Sequence, residues 1–169
     1  WLTPSDIELL ATRNSSVIHN PISNLRLGSG VSPIPDLLDK GVNVALGTDG
    51  TCTNDNQNLF LEMRLAGCLH AAIGPDHARW VQANDAFEMA TLRGAAALGQ
   101  EGALGEIEPG FKADLVLFDP DAVEAPATRE NPKQYAVGID YVFVNGKAVV
   151  DSGKITGALP GRSLKRGED

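Results

Sequence analysis

The sequence contains little cysteine and has no excess of basic residues. Its 169 residues include two cysteines, Cys52 and Cys68, which is too few for a disulfide framework, and no CxxC spacing indicates a cysteine metal site. We therefore expect a reduced, cytoplasmic setting for this protein. The 14 Lys and Arg against 22 Asp and Glu give a net charge of -8. This balance argues against nucleic acid or an anionic membrane as the main partner.

Long apolar runs and paired histidines are absent as well. No run approaches the ~20 residues of a membrane-spanning helix, and the first residues do not have the pattern of a secretory signal peptide. The three histidines, His19, His70 and His77, form no HxH pair. What is present is ordinary for a globular protein, with 43% hydrophobic and 21% charged residues. The length suits one domain or two small ones.

The first part of the chain predicts a βαβ unit. A β-branched run, "SSVIHN", ends before Pro21, and a loop rich in Gly, Asn and Ser follows it. The next stretch predicts a helix that has Ser32 as its cap and ends just before Gly41. The residues from Val42 to Leu46 then form a nearly continuous apolar strand. Such a strand is typical of a parallel sheet that helices cover on both faces.

The two predicted strands end in polar residues. His19 ends the first strand, and Asp49 follows the second within "GTDG". Because ligand sites in parallel α/β folds gather at the carboxyl ends of strands, we expect both side chains on the same rim. Two alternatives stay open from the pattern alone. Asp49 can be a turn-forming residue between glycines, and His19 can be satisfied by its own loop.

Other polar residues surround these strand ends. Ser23 and Asn24 are typical of loop architecture rather than of catalysis. Cys52 is expected to be a bystander. Some of the residues after the second strand can either hydrogen-bond Asp49 or cap the next helix, and capping is favoured for Asn54. This set comprises Thr48, Thr51, Thr53 and Asn54.

Two further helices are predicted before the pattern changes. "NLFLEMRLAGCLHAA" predicts a helix with Asn56 or Asn58 near its start. "ANDAFEMATLRGAAALG" predicts one helix that is capped by Asn84 or Asp85 and closed by Gly99.

Antiparallel strands are predicted in the last part of the chain. "ADLVLFD" predicts a strand, and "YVFVNGKAVV" predicts a hairpin that turns at Asn145-Gly146. We therefore place a boundary near Leu104, with residues 1–104 in one domain and residues 105–169 in a second domain with a charged tail.

Four stretches together carry a resemblance to a known family. They are "HNPISNLRLGSG", "GVNVALGTDG", "NDNQNLFLEMRLA" and "GALGEIEPGFKADLVLFD". In this order they resemble the amidohydrolase superfamily of metal-dependent hydrolases. The similarity is to the cytosine deaminase-like branch, which holds methylthioadenosine/S-adenosylhomocysteine deaminases, triazine hydrolases and guanine deaminases. It covers residues 19–155. "GTDG" alone is a weak motif, but the ordered set is specific.

The resemblance implies a fold and a metal site. Its members are (β/α)8 barrels, so residues 1–104 are expected to be the last βα units of a TIM barrel. Residues 105–169 are expected to be part of a small β-sandwich domain and a tail. Asp49 matches the eighth-strand aspartate that binds one divalent metal, zinc or alternatively iron, and that handles protons. The resemblance places most ligands outside this chain. His19 matches the end of the seventh strand, with a substrate or outer-sphere role.

The resemblance also implies an activity. It implies hydrolysis of a non-peptide C–N bond, with deamination of a purine, pyrimidine or triazine-like ring by metal-activated water. The alternatives are a dechlorinating or amide-hydrolysing enzyme, or a catalytically silent fragment. A small heterocyclic substrate is expected, without nucleic acid or membrane as partner. Because the chain holds too few strands for a barrel, we expect a homo-oligomer or completion by barrel segments from elsewhere.

Overall fold

A change from mixed helices and strands to antiparallel strands divides the chain. A computed structural model describes residues 1–112 and 114–163, and it separates two units, Trp1–Glu108 and Pro109–Asp169. This division lies a few residues beyond the change that the sequence places near Leu104. Ala113 and the end of the predicted tail lie outside the described residues.

The first unit alternates helices with two short strands, so the predicted α/β content is confirmed. Its elements are α1 (Pro4–Thr12), β1 (Ser16–His19), α2 (Pro21–Arg26), α3 (Ile34–Asp39), β2 (Asn43–Leu46), α4 (Leu59–Leu69), the 3-10 turns His70–Ala72 and His77–Arg79, α5 (Ala83–Ala90) and α6 (Leu92–Ala97). Within the described ranges, the structure has no helix with both the length and the apolar character that crossing a membrane requires.

Strands β1 and β2 pair in parallel, as the βαβ pattern predicts. The register places Ser16 opposite Asn43 and His19 opposite Leu46. Val44, Ala45 and Leu46 are all buried, which confirms that β2 is covered on both faces. On β1, by contrast, Ile18 remains 50% exposed.

The apolar core of the first unit collects side chains from both ends of its sequence. α5 and α6 pack against β2, in agreement with the burial of Val44, Ala45 and Leu46. The buried apolar side chains are Ile7, Ile34, Leu37, Val42, Val44, Leu46, Ala66, Val81, Ala86 and Met89. Strand β2 contributes Val44 and Leu46 to this core, and Asp49 follows β2 in the chain.

Two predictions about the βαβ connection are wrong. The segment after β1 is not only a loop, because Pro21 begins α2 at a position where proline needs no hydrogen-bond partner. Ser32 does not cap α3. Pro33 occupies the cap position without a side-chain hydrogen bond, and the Ser32 carbonyl oxygen lies 3.2 Å from His70 Nε2.

The later helices also differ from the prediction in part. Asn58 caps α4 by accepting the Phe60 amide at 3.0 Å, as one of the two predicted options. The next predicted helix is divided at Thr91 into α5 and α6, because the backbone of Thr91 is not helical. Its cap is Gln82 rather than Asn84 or Asp85. Asp85 lies at the third helical position and accepts the Gln82 amide at 2.9 Å.

The second unit is an antiparallel sheet of four strands in sequence order. Its elements are β3 (Leu115–Phe118), β4 (Ile139–Val144), β5 (Lys147–Asp151) and β6 (Lys154–Ile155). β4 and β5 form the predicted hairpin. Asn145 and Gly146 both have positive φ, 49° and 71°, as a type I′ turn requires. The asparagine-glycine pair therefore specifies the turn locally.

Replacing Gly146 should destabilise the second unit through the backbone alone. A Cβ at Gly146 would meet no atom within 4 Å, so Gly146→Ala adds no clash. It forces a side chain into the left-handed region, which costs about 1–2 kcal/mol. We expect a loss of that size in the free energy of unfolding by denaturant. The control is Gly161→Ala, which also has open space and no positive φ. Equal stability of the two variants would contradict this account of the turn.

Candidate active site

The parallel pairing brings the ends of β1 and β2 to one edge of the sheet. The Gly47 amide donates to the His19 carbonyl oxygen at 3.0 Å and extends the ladder past β2. A Cβ at Gly47 would collide with the side-chain oxygen of Asn20 and would lie 2.8 Å from Ile18 Cγ2. A glycine is thus required at position 47, because the backbone there lies close to the side chains at the end of β1. Asp49 follows it on this edge, and His19 lies on the neighbouring strand.

Asp49 has an unusual backbone conformation. Its φ of 59° lies in the left-handed region, which non-glycine residues seldom adopt and which aspartate tolerates better than most. The Gly50 amide donates to Asp49 Oδ1 at 2.7 Å. In "GTDG" the left-handed residue is therefore the aspartate and not one of its glycines. Backbone strain of this kind is concentrated at functional sites in proteins.

The Asp49 carboxylate is held by one side chain from α2 and one from the loop after β2. Ser23 in α2 donates its hydroxyl to Asp49 Oδ2 at 2.6 Å. The Thr53 hydroxyl lies 3.0 Å from the same oxygen and 3.1 Å from the Gly50 carbonyl oxygen, so it shares its single hydrogen between them. The sequence assigns Ser23 to loop architecture, whereas the structure places it on the carboxylate.

These contacts keep Asp49 ionised and leave one acceptor position open. The Ser23 hydroxyl, the Gly50 amide and the Thr53 hydroxyl, in that order of size, lower the pKa of this exposed carboxyl group. An ionised carboxylate offers about four acceptor positions. Two donors meet Oδ2 and one meets Oδ1. Oδ1 can therefore still accept from a cation or from water.

A buried polar network supports the loops on which Asp49 and its partners lie. Asn54 Nδ2 donates to Glu62 Oε1 at 2.5 Å and to the Thr48 carbonyl oxygen at 2.8 Å. Glu62 Oε2 accepts the Ile22 amide at 3.2 Å. Asn54 is therefore not the cap of α4 that the sequence favours.

Sequence reasoning missed Glu62, although its position carries a signal. It lies three residues after Leu59 and four before Ala66, on the face of α4 that packs into the core. A glutamate on an apolar helix face indicates a buried and hydrogen-bonded carboxylate. Glu62 is 0% exposed.

His19 lies at the same edge as a buried ring without a partner. It is 2% exposed, and neither ring nitrogen has a hydrogen-bond partner among the described residues. The structure therefore does not support the alternative in which its own loop satisfies the ring. Burial first, and the nearby His70 second, lower the pKa of His19 to about 4. At neutral pH the ring is neutral, with one donor and one acceptor nitrogen.

His70 lines a groove elsewhere in the first unit. The groove has a volume of about 360 Å³ and is also lined by Val31, Pro33, Ile73 and Trp80. Neither Asp49 nor His19 lines it. Its charged residues are Asp36, Asp76 and Arg79. Asp36 pairs with Arg79, and Asp76 accepts the Ala78 amide, so we assign the candidate active site by the chemistry at Asp49.

Among the described residues, Asp49 has the properties that one ligand of a metal ion requires. Within residues 1–112 and 114–163 there is no group of three or more His, Cys, Asp or Glu side chains that could hold a metal ion. Cys52 and Cys68 are free and exposed. Asp49, with its ionised carboxylate and an open position on Oδ1, fits a role as one ligand of a divalent ion.

Comparison with protein families shows to which family the chain belongs. A model of the amidohydrolase family matches residues 1–149. The chain belongs to the amidohydrolase family. Asp49 and His19 both lie within the matched part of this amidohydrolase chain.

Individual amidohydrolases show the same similarity. The chain is 40% identical over 156 residues to a 5-methylthioadenosine/S-adenosylhomocysteine deaminase of Acetivibrio thermocellus, covering 89% of this chain and 36% of the relative. A solved adenosine deaminase from Xanthomonas campestris with bound zinc is similar at 38% identity and a TM-score of 0.72, over 93% of this chain and 37% of that one.

A hydrolase with another leaving group has the same fold over this region. The atrazine chlorohydrolase from Arthrobacter aurescens, complexed with zinc, is similar at 28% identity and a TM-score of 0.74. The match covers 94% of this chain and 36% of that one. The chain thus spans little more than a third of the length of the amidohydrolases that it matches.

Burial of His19 should make the native protein sensitive to acid. The folded pKa of about 4 lies below the ordinary 6.5, so the unfolded state binds more protons between these values. The contribution of His19 is complete above pH 6.5 and is lost as pH falls towards 4, at up to ~1.4 kcal/mol per pH unit. We expect His19→Gln to flatten the fall in unfolding free energy over this range.

The matched control for this prediction is His77→Gln. His77 is exposed in a 3-10 turn, so this variant removes a histidine of the first unit without changing the buried ring of His19. An identical pH dependence for native protein and His19→Gln would show that His19 titrates alike in the folded and unfolded states.

Proposed function

We propose that this chain is the C-terminal part of a metal-dependent amidohydrolase that hydrolyses a C–N bond other than a peptide bond. The reaction we favour is deamination of a purine, pyrimidine or triazine-like ring by metal-activated water. The observation that carries the proposal is Asp49, an ionised carboxylate with a free acceptor position at the carboxyl end of a buried strand. The similarity to deaminases at 38% and 40% identity supports this reaction.

We infer the architecture from the same observations. Residues 1–104 form the last βα units of a (β/α)8 barrel, and residues 105–169 form part of a β-sandwich domain and a tail. Ile18 on β1 is half exposed, and a sheet of two strands is too small to form a stable layer. On β3, Val116, Leu117 and Phe118 are each at least half exposed. These surfaces suit further strands and a second layer.

Asp49 would hold the metal, which we take to be a single zinc ion with iron as the alternative. A zinc ion lowers the pKa of its bound water to about 7 and supplies a nucleophile at neutral pH. Asp49 would contribute Oδ1 as a ligand atom. Its Oδ2 would accept a proton from the attacking water when the Thr53 hydroxyl turns to the Gly50 carbonyl oxygen, 3.1 Å away. Ser23 and Thr53 keep the other oxygen, Oδ2, in one orientation.

His19 would act on the substrate side or orient another polar group of the complete site. Its ring is neutral at neutral pH because burial lowers its pKa to about 4. One nitrogen donates and the other accepts a hydrogen bond, which suits a neutral heterocycle with both kinds of group. The two nitrogens without partners among the described residues support this role.

A dechlorinating or amide-hydrolysing reaction is the second candidate. It is favoured by the similarity to the zinc-bound atrazine chlorohydrolase. The three reactions differ in their products, since deamination releases ammonia, dechlorination releases chloride, and amide hydrolysis releases a carboxylic acid. We further propose a cytoplasmic enzyme for a small heterocyclic substrate. Its barrel is completed by segments outside this chain or within a homo-oligomer.

Neutralising Asp49 should abolish metal binding and turnover in the complete protein, which includes the barrel segments outside this chain. Asp49→Asn keeps the size of the side chain but removes the charge that binds the cation. We expect the rates of deamination of adenine nucleosides and of hydrolysis of triazines to fall by much more than the ~100-fold that loss of an outer-sphere group costs. Zinc is measured by elemental analysis, and product release by ammonia and chloride assays.

Asp55→Asn is the matched control for Asp49→Asn. Asp55 lies in the same loop, is exposed, and pairs with Arg26 at 2.6 Å. This variant should keep metal and turnover, since an exposed ion pair contributes little. Full zinc content and turnover in Asp49→Asn would refute the proposed role of the carboxylate.

The isolated 169-residue chain should be silent by itself. The described residues offer no group of three metal-ligating side chains, so we expect no stoichiometric zinc and no deamination. Elemental analysis and light scattering on this product check the metal content and the molecular mass. A lone monomer with one zinc ion and turnover would contradict the proposal that other segments complete the site.

A further inference from the structure

Glu62 is a buried carboxylate that no cation neutralises among the described residues. It is 0% exposed, and no ion pair within the described residues includes it. Its described partners are two neutral donors, the Ile22 amide at 3.2 Å and Asn54 Nδ2 at 2.5 Å. A buried carboxylate with neutral partners is costly to maintain. Glu62 accepts hydrogen bonds from both donors, which an apolar side chain could not do.

The first donor connects Glu62 to α2, the helix that follows β1. Ile22 lies in the first turn of α2, where a backbone amide has no partner within the helix. Glu62 Oε2 accepts this amide. The next residue is Ser23, whose hydroxyl donates to Asp49 Oδ2 at 2.6 Å. Glu62 thereby fixes the main chain directly before the residue that holds Asp49.

The second donor connects Glu62 to the loop after β2. Asn54 uses both hydrogens of its amide, one on Glu62 Oε1 and one on the Thr48 carbonyl oxygen. Thr48 directly precedes Asp49 in the chain, and Asn54 directly follows Thr53, the second hydroxyl on Asp49 Oδ2. Asn54 therefore supports this loop at two points, one on each side of the turn that presents Asp49.

We propose that Glu62 is a positioning residue that orients Asp49 by holding Ser23, in α2, and Thr53, in the loop after β2, against it. The proposal rests on the proposed function, in which Asp49 Oδ1 binds the metal. The described hydrogen bonds of Glu62 go to Ile22 and Asn54 and not to Asp49 itself. Glu62 acts at a distance, because Oδ2 keeps its direction only while α2 and the loop after β2 stay in place, and Oδ1 would then be available as the ligand atom. Removal of such outer-sphere partners typically costs 10–100-fold in metal affinity or activity.

The test replaces Glu62 by glutamine in the native, complete protein. Glu62→Gln keeps the shape but sets an amide NH2 against Ile22 N–H or Asn54 Nδ2, so a donor faces a donor. We expect the zinc dissociation constant to rise roughly 10- to 100-fold. The control is Glu88→Gln on the neighbouring helix α5. Glu88 is partly buried and ion-paired with Arg93 at 3.1 Å, and its loss should leave zinc affinity unchanged.

A double-mutant cycle separates positioning from general loss of stability. If Glu62 acts through Ser23, the effects of Glu62→Gln and Ser23→Ala on zinc affinity should be less than additive. Additive effects would overturn the proposal, and so would native zinc affinity in Glu62→Gln. Should Glu62→Gln fail to fold, Asn54→Ala removes the support of the loop after β2, and its cycle is made with Thr53→Val, the donor from that loop. Additive effects or native zinc affinity in Asn54→Ala would then overturn the proposal.

A metal-independent measurement keeps the two proposals distinct. A crystal structure of metal-free Glu62→Gln, or of Asn54→Ala, should show Ser23 Oγ beyond about 3.5 Å from Asp49 Oδ2. If the native protein binds no metal, the proposed function fails, and this distance still decides the positioning role. If the native protein binds zinc while the variant keeps the short contact, the positioning role fails and the proposed function stands.

Discussion

The hydrogen bond between the Ser23 hydroxyl and the Asp49 carboxylate is the contact on which the site depends. It joins α2, which follows β1, to the loop after β2 at 2.6 Å, and β1 and β2 run parallel. It is also the first cause of the lowered pKa of Asp49. Together with Gly50 and Thr53 it keeps the carboxylate ionised and leaves one oxygen able to accept a ligand. The β1–β2 register is what makes this contact possible.

The site is supported at the expense of local stability. Asp49 has a left-handed backbone, Glu62 is buried without a cation within the described residues, and both nitrogens of buried His19 lack partners there. Each of these features is unfavourable for a protein that only has to fold. Their concentration around two strand ends is what a preorganised site requires, since groups that are fixed beforehand need no reorganisation when a ligand binds.

Much of the fold follows from local signals in the sequence. The apolar run of β2 and the β-branched run of β1 predict parallel strands, and Asn145-Gly146 predicts the hairpin, because each of these signals involves neighbouring residues. The same reasoning fails for α2 and for the break at Thr91. There, short helices depend on packing against the rest of the unit more than on their own propensity.

The sequence by itself determined that Asp49 follows a buried strand and that His19 ends its neighbour, because periodicity and strand ends are local properties. Only the tertiary structure decided which groups hold the carboxylate. Ser23 and Asp49 are 26 residues apart, and Ile22 and Glu62 are 40 apart. No pattern along the chain encodes such contacts. They arise when parallel pairing and the packing of α4 against α2 bring the loops together.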